Sequence, residues 1–120
     1  PLMFKWQQGR QKTGYDTIKV MELHRPLPMD IYLIRYQQGA YIPPHCDPVR
    51  QGQHYRLNIT LKYAQRGGVF HCEQLIWRCG RMVLFRSDLA IHQVSQVESG
   101  SRYVLSIGWI WPATNKVVER

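Results

Sequence analysis

Between Tyr55 and Tyr63 the chain alternates with a period of two. Leu57, Ile59, Leu61 and Tyr63 share one side, and Arg56, Asn58, Thr60 and Lys62 share the other. A helix cannot hold that pattern, because its faces repeat every 3.6 residues, so this stretch reads as a strand. Similar short runs lie on either side of it. Ile31–Tyr36, Val69–Glu73, Met82–Phe85, Ile91–Val97 and Arg102–Trp111 are rich in β-branched and aromatic residues. Turn signals separate them: Gly39, Pro43-Pro44, Gly67-Gly68, Cys79-Gly80 and Ser99-Gly100. Only Thr17–Leu23 and Arg86–Ala90 admit a short helix. Closely spaced strands of this kind predict an all-β fold with little helix, a sandwich or jelly-roll barrel.

With 120 residues, 44% of them hydrophobic, the chain can bury one core. No repeat or linker divides it, so residues 1–120 read as a single domain. Residues 1–16 form an N-terminal extension or lid, with Phe4, Trp6 and Tyr15 as anchors. No apolar run is long enough to span a membrane, and no signal peptide is legible. Three cysteines cannot close a disulfide framework, which predicts a reducing, cytoplasmic setting. A net charge of +8 favours anionic partners without choosing among nucleic acid, carboxylates and acidic proteins.

The sharpest chemical feature is His45-Cys46-Asp47. Side chains two apart on a strand point the same way, so His45 and Asp47 can reach one metal ion while Cys46 turns aside. His92, on a later strand, offers a third ligand. Two histidines and one carboxylate that leave coordination positions open form a facial triad suited to non-haem Fe(II). Arg102 opens the apolar stretch Tyr103–Trp109, where a buried cation needs an anionic partner. A bound carboxylate would satisfy it. His71, Cys72 and Cys79 lack zinc-site spacing. A cupin opening fits Gly39 and His45, but the usual second histidine and later glutamate are missing. Arg56, Lys62 and Arg66 read as pocket-mouth or solvated charges.

Together these segments resemble the 2-oxoglutarate- and Fe(II)-dependent dioxygenase superfamily, most closely its prolyl-hydroxylase-like branch. The resemblance rests on 32–39 (YLIRYQQG), 45–47 (HCD), 56–63 (RLNITLKY), Gly67-Gly68, His92 and 100–109 (GSRYVLSIGW). It implies a double-stranded β-helix in which His45, Asp47 and His92 hold Fe(II). It implies that Arg102 pairs with the distal carboxylate of 2-oxoglutarate. Ser106 and Tyr36 match positions near that co-substrate, and either Asn58 or Tyr63 joins them, depending on strand register. The implied reaction uses O₂ and converts 2-oxoglutarate to succinate while hydroxylating a substrate. A protein side chain is the favoured substrate class. A small molecule is a second, and the charge also admits nucleic acid. The nucleic-acid branch usually carries a second arginine six residues after the co-substrate arginine, where this chain has Gly108. The competing function is a basic β-barrel module that binds an anionic partner through a vestigial metal site.

Overall fold

The computed structural model describes residues 5–112 of the chain. Within them lie twelve strands and no helix. They are β1 (Gln7–Gln8), β2 (Tyr15–Leu23), β3 (Met29–Tyr36), β4 (Ile42–His45), β5 (Gln53–Lys62), β6 (Arg66–Gly67), β7 (Phe70–Cys72), β8 (Trp77–Cys79), β9 (Met82–Arg86), β10 (His92–Val94), β11 (Val97–Ser99) and β12 (Arg102–Trp111). Seven form one antiparallel sheet in the order β1-β2-β3-β12-β5-β9-β8. The remaining five form two smaller sheets, β4-β10-β7 and β11-β6. The strands that sequence pattern places at Ile31–Tyr36, Tyr55–Tyr63, Met82–Phe85 and Arg102–Trp111 are the centre of the large sheet. Phe4 lies outside the described residues.

The core lies between the large sheet and the smaller ones. Tyr15, Tyr36 and Val104 from the large sheet pack with Val94 and Val97 from the small sheets and with Ala40. Burying side chains such as Val97, Val104 or Phe85 stabilises the fold by about 1.5–3 kcal/mol each. This facing of sheets is the jelly-roll arrangement expected from the strand pattern.

Neither of the two stretches that admit a short helix forms one, and one expected strand divides in two. Thr17–Leu23 is not helical but belongs to β2, registered against β3 from Tyr15↔Tyr36 to Leu23↔Met29. Its β-branched Thr17, Ile18 and Val20 suit that sheet, and pairing to a long neighbour overrides any helical tendency. Arg86–Ala90 is a turn after β9, closed by Ala90 N–H donating to Arg86 O at 2.9 Å. Ile91–Val97 is two strands in different small sheets. The chain breaks at Ser95-Gln96, where Ser95 N–H donates to Val69 O at 2.9 Å.

The N-terminal segment starts the large sheet. β1 pairs with β2, and Trp6 sits under the Arg35 guanidinium, 3.9 Å from its ring centroid. Two consecutive left-handed glycines, Gly67 (φ 73°) and Gly68 (φ 64°), turn the chain tightly against Gln96 and Val97. A side chain at Gly67 would overlap the Gln96 carbonyl, so only glycine fits there.

Candidate functional site

β4 and β10 are antiparallel neighbours, and their register sets His45 directly opposite His92. The two rings lie 4.4 Å apart between centroids. His92 is buried and is also packed on Phe85, 4.8 Å away between centroids. Asp47 follows β4 and is tied down by its own backbone, its N–H donating to Ser87 O at 2.8 Å. One ligand atom from each of His45, Asp47 and His92 falls within 4.8 Å of the other two. No other group of three such residues converges among the described residues. His71, Cys72 and Cys79 do not gather, and all three cysteines are free thiols.

Hydrogen bonding fixes which atoms face inward. His45 Nδ1 lies 2.9 Å from Pro43 O, and His92 Nδ1 lies 2.9 Å from Ala90 O. A carbonyl only accepts, so both Nδ1 atoms carry protons that they donate. In the neutral rings each Nε2 then presents a lone pair to the Asp47 carboxylate, at 3.4 Å for His45 and 3.5 Å for His92. Three acceptors meet with no donor among them, which is a mismatch unless a cation sits between. The donor set therefore fits a divalent metal. Without one, protons do the same work. The Asp47 carboxylate raises the His45 imidazole above its ordinary value. Burial works to raise the Asp47 carboxyl, yet the His45 and His92 imidazoles outweigh it and hold Asp47 below the usual carboxylate range. Arg10, from the turn between β1 and β2, also reaches Asp47 Oδ1 at 3.3 Å.

The three ligand candidates open onto a cavity of about 310 Å³ between the sheets. Tyr36, Asn58, Arg102 and Ser106 line it from the large sheet. Arg102 is only 4% exposed. No carboxylate of the described residues pairs with it, and its buried Nε has no hydrogen-bond partner. Its compensation is the Tyr36 ring, 5.7 Å from the guanidinium carbon. Burial lowers the Arg102 pKa and raises that of the Tyr36 phenol. Tyr36 is stacked on Tyr15 at 5.7 Å. A buried guanidinium with no carboxylate partner, lining a cavity, has chemistry that suits an anion.

The register of β5 settles which of its residues lines this cavity. Asn58 lies opposite Ser106, and both face inward. Tyr63 lies past the end of β5, is 52% exposed and sits beneath the Arg81 guanidinium. It lines a second cavity, which shares Asn58, Phe70 and Arg102 with the first.

Sequence reasoning left His54 and Ser87 without a role and read Arg56 as a pocket-mouth or solvated charge; the structure places Arg56 in the cavity lining. Arg56 donates to His54 Nε2 at 3.4 Å; His54 Nδ1 lies 3.2 Å from Ser87 Oγ; Ser87 Oγ donates to Asp47 Oδ2 at 3.3 Å. The chain has one direction of donation, from the guanidinium to the Asp47 carboxylate. Burial and Arg56 both lower the His54 pKa, which keeps its Nε2 an acceptor. For Arg56 the available signal was Gly108, whose absent side chain leaves room for the guanidinium.

Residues 31–111 match the family model described as the 2OG-Fe(II) oxygenase superfamily. No curated protein sequence is matched. Among solved structures, the chain is similar to a Pseudomonas putida prolyl-4-hydroxylase. The TM-score is 0.68 at 15% identity, covering 92% of this chain and 79% of that one. It is similar to the viral collagen prolyl hydroxylase of Paramecium Bursaria Chlorella virus-1, with a TM-score of 0.57 at 14% identity, covering 84% and 81%. KdgF from Halomonas sp. gives a TM-score of 0.55 at 16% identity, covering 95% and 93%. At these identities the likeness is one of fold.

Proposed function

Because this chain belongs to the 2OG-Fe(II) oxygenase superfamily, we propose that it is a 2-oxoglutarate-dependent hydroxylase whose iron is held by His45, Asp47 and His92. The observation that carries this reading is the convergence of two Nε2 lone pairs on one carboxylate, with both Nδ1 protons already spent. Fe(II) bound there would supply O₂ activation coupled to oxidative decarboxylation of 2-oxoglutarate to succinate. Asp47 brings the one negative charge of the ligand set. Arg102 receives the distal carboxylate of the co-substrate, which relieves an otherwise unpaired buried cation. Tyr36 walls that end of the cavity and excludes water from the ion pair. A protein side chain is the favoured substrate class, in keeping with two prolyl hydroxylases among the similar structures.

The test is succinate release from 2-oxoglutarate by the Fe(II)-loaded protein, with and without proline-containing peptides. Peptide-stimulated succinate release together with a mass gain of one oxygen on the peptide is expected. Asp47→Ala should abolish both. Succinate release that Asp47→Ala leaves unchanged would overturn the ligand assignment.

A further inference from the structure

The cavity holds a second guanidinium that this reading does not use. Arg56, on β5, lies opposite Gly108 of β12. A Cβ at position 108 would overlap the Arg56 guanidinium, so the glycine makes the space that Arg56 fills. One arm, Nη2, donates to Asp30 Oδ1 at 2.6 Å. The rigid fork then directs Nη1 to Ser106 Oγ at 2.9 Å. Ser106 is 1% exposed and has a single hydroxyl proton. With the guanidinium on its lone pair, that proton goes to Asn58 Oδ1 at 2.6 Å. The separation is that of an O–H···O bond and is shorter than an ordinary N–H···O bond. The Asn58 oxygen is thereby turned toward Ser106. Its NH₂ makes no hydrogen bond to the described residues, and Asn58 lines the cavity.

We propose that Arg56 is a positioning residue for co-substrate recognition. By donating to Ser106 and so directing its only proton to Asn58, it makes the Asn58 amide, rather than the Ser106 hydroxyl, the donor that this wall offers to an anionic ligand anchored on Arg102. A hydroxyl can donate or accept, whereas an amide NH₂ only donates, so the wall is committed to ligand oxygens that accept. Asp30 is the fixed end of the device and Gly108 is its clearance. The inference rests on the reading of the cavity as a 2-oxoglutarate site.

The test is calorimetric titration of 2-oxoglutarate into the Mn(II)-loaded protein, with Mn(II) affinity measured alongside. Asn58→Asp keeps an acceptor for Ser106 and nearly the same shape but turns an oxygen toward the ligand. It should weaken 2-oxoglutarate binding by about tenfold or more, with Mn(II) affinity unchanged. Arg56→Lys keeps a cation for Asp30 and loses the second arm, and should weaken binding by roughly three- to fivefold. Gly108→Ala, which displaces the guanidinium and removes no polar group, should reproduce the Arg56→Lys effect. Combined with Asn58→Asp, neither Arg56→Lys nor Gly108→Ala should cost anything further, because both act through Asn58. Wild-type affinity in Asn58→Asp would overturn the inference, as would full additivity of Arg56→Lys with it. A wild type that binds Mn(II) but no 2-oxoglutarate would overturn the reading of the cavity itself.

Discussion

Replacing Arg102 by methionine should make the ligand-free protein more stable and the pocket useless. Arg102 is 4% exposed, has no carboxylate partner among the described residues, and leaves its Nε unbonded. A buried ion loses several kcal/mol of hydration even after its surroundings relax. The Tyr36 ring, 5.7 Å away, returns about 0.5–2 kcal/mol. Methionine would keep most of the aliphatic packing and remove the charge. The expected gain is about 1–3 kcal/mol, within the range found when buried ion pairs give way to apolar residues. For a domain of this length each kcal/mol is worth roughly 3–6 °C in Tm. The assay is urea and thermal denaturation of wild type and Arg102→Met, repeated with Mn(II) and 2-oxoglutarate. At a hundredfold excess over Kd the ligand should add about 2.7 kcal/mol to the wild type and almost nothing to the variant. A ligand-free variant less stable than wild type by about 1 kcal/mol would contradict the expected gain, since Arg102 would then hold the fold. An undiminished ligand shift would refute the anion role.

Three further outcomes are expected. Ser87→Ala removes the hydroxyl that donates to Asp47 Oδ2 at 3.3 Å but keeps the backbone contact, and should weaken metal binding by about tenfold. A competitive chelator titration reads this directly, and unchanged affinity would show that Ser87 does not orient Asp47. Phe85→Ala opens a cavity beneath His92 and Phe70, where the rings lie 4.8 and 5.2 Å from Phe85. It should cost about 3–5 kcal/mol in denaturant unfolding; a loss under about 1 kcal/mol would place Phe85 outside the core. Asp88 is held below the usual carboxylate range by Arg86, whose Nε and Nη2 donate at 2.8 and 2.7 Å. A carboxylate with a depressed folded pKa contributes stability above its unfolded pKa and loses it as pH falls through the folded value. Asp88→Asn should therefore lose about 1–2 kcal/mol at pH 7 and show a shallower acid limb below about pH 4. An unchanged limb, by urea unfolding at stepped pH, would contradict the pairing.

The sequence marks strands more clearly than it marks their faces. In β5 the usual rule puts Leu57 and Ile59 inside, but Arg56, Asn58 and Thr60 line the two cavities. The rule inverts because the space between the sheets is a polar pocket as well as a core. Leu57 and Ile59 instead lie half-buried on the outer face, beside Leu105 and Ile107 of β12. In β12 the inward set is Arg102, Val104, Ser106 and Gly108, all buried. Arg102 was legible for a physical reason, since a charge amid Tyr103–Trp109 demands a partner. The convergence of His45, Asp47 and His92 was legible from residue chemistry; strand spacing does not account for Asp47, which lies past the end of β4 and is placed by its backbone bond to Ser87. The contacts of His54 and Ser87, and those of Arg56 beyond its place at the pocket, were not legible, because they depend on cross-strand pairing that no local pattern records. Thr17–Leu23 misled for the opposite reason, a local ambiguity resolved only by pairing with β3.

His45, Asp47 and His92 are proposed to form an iron site with a co-substrate pocket beside it. The most direct test is anaerobic titration of the metal-free protein with Fe(II) and then 2-oxoglutarate, following the visible charge-transfer band. Wild type and Asp47→Ala are run side by side. A band in the wild type that Asp47→Ala lacks is the expected result. A folded wild type with no band would contradict the claim and favour a basic binding module.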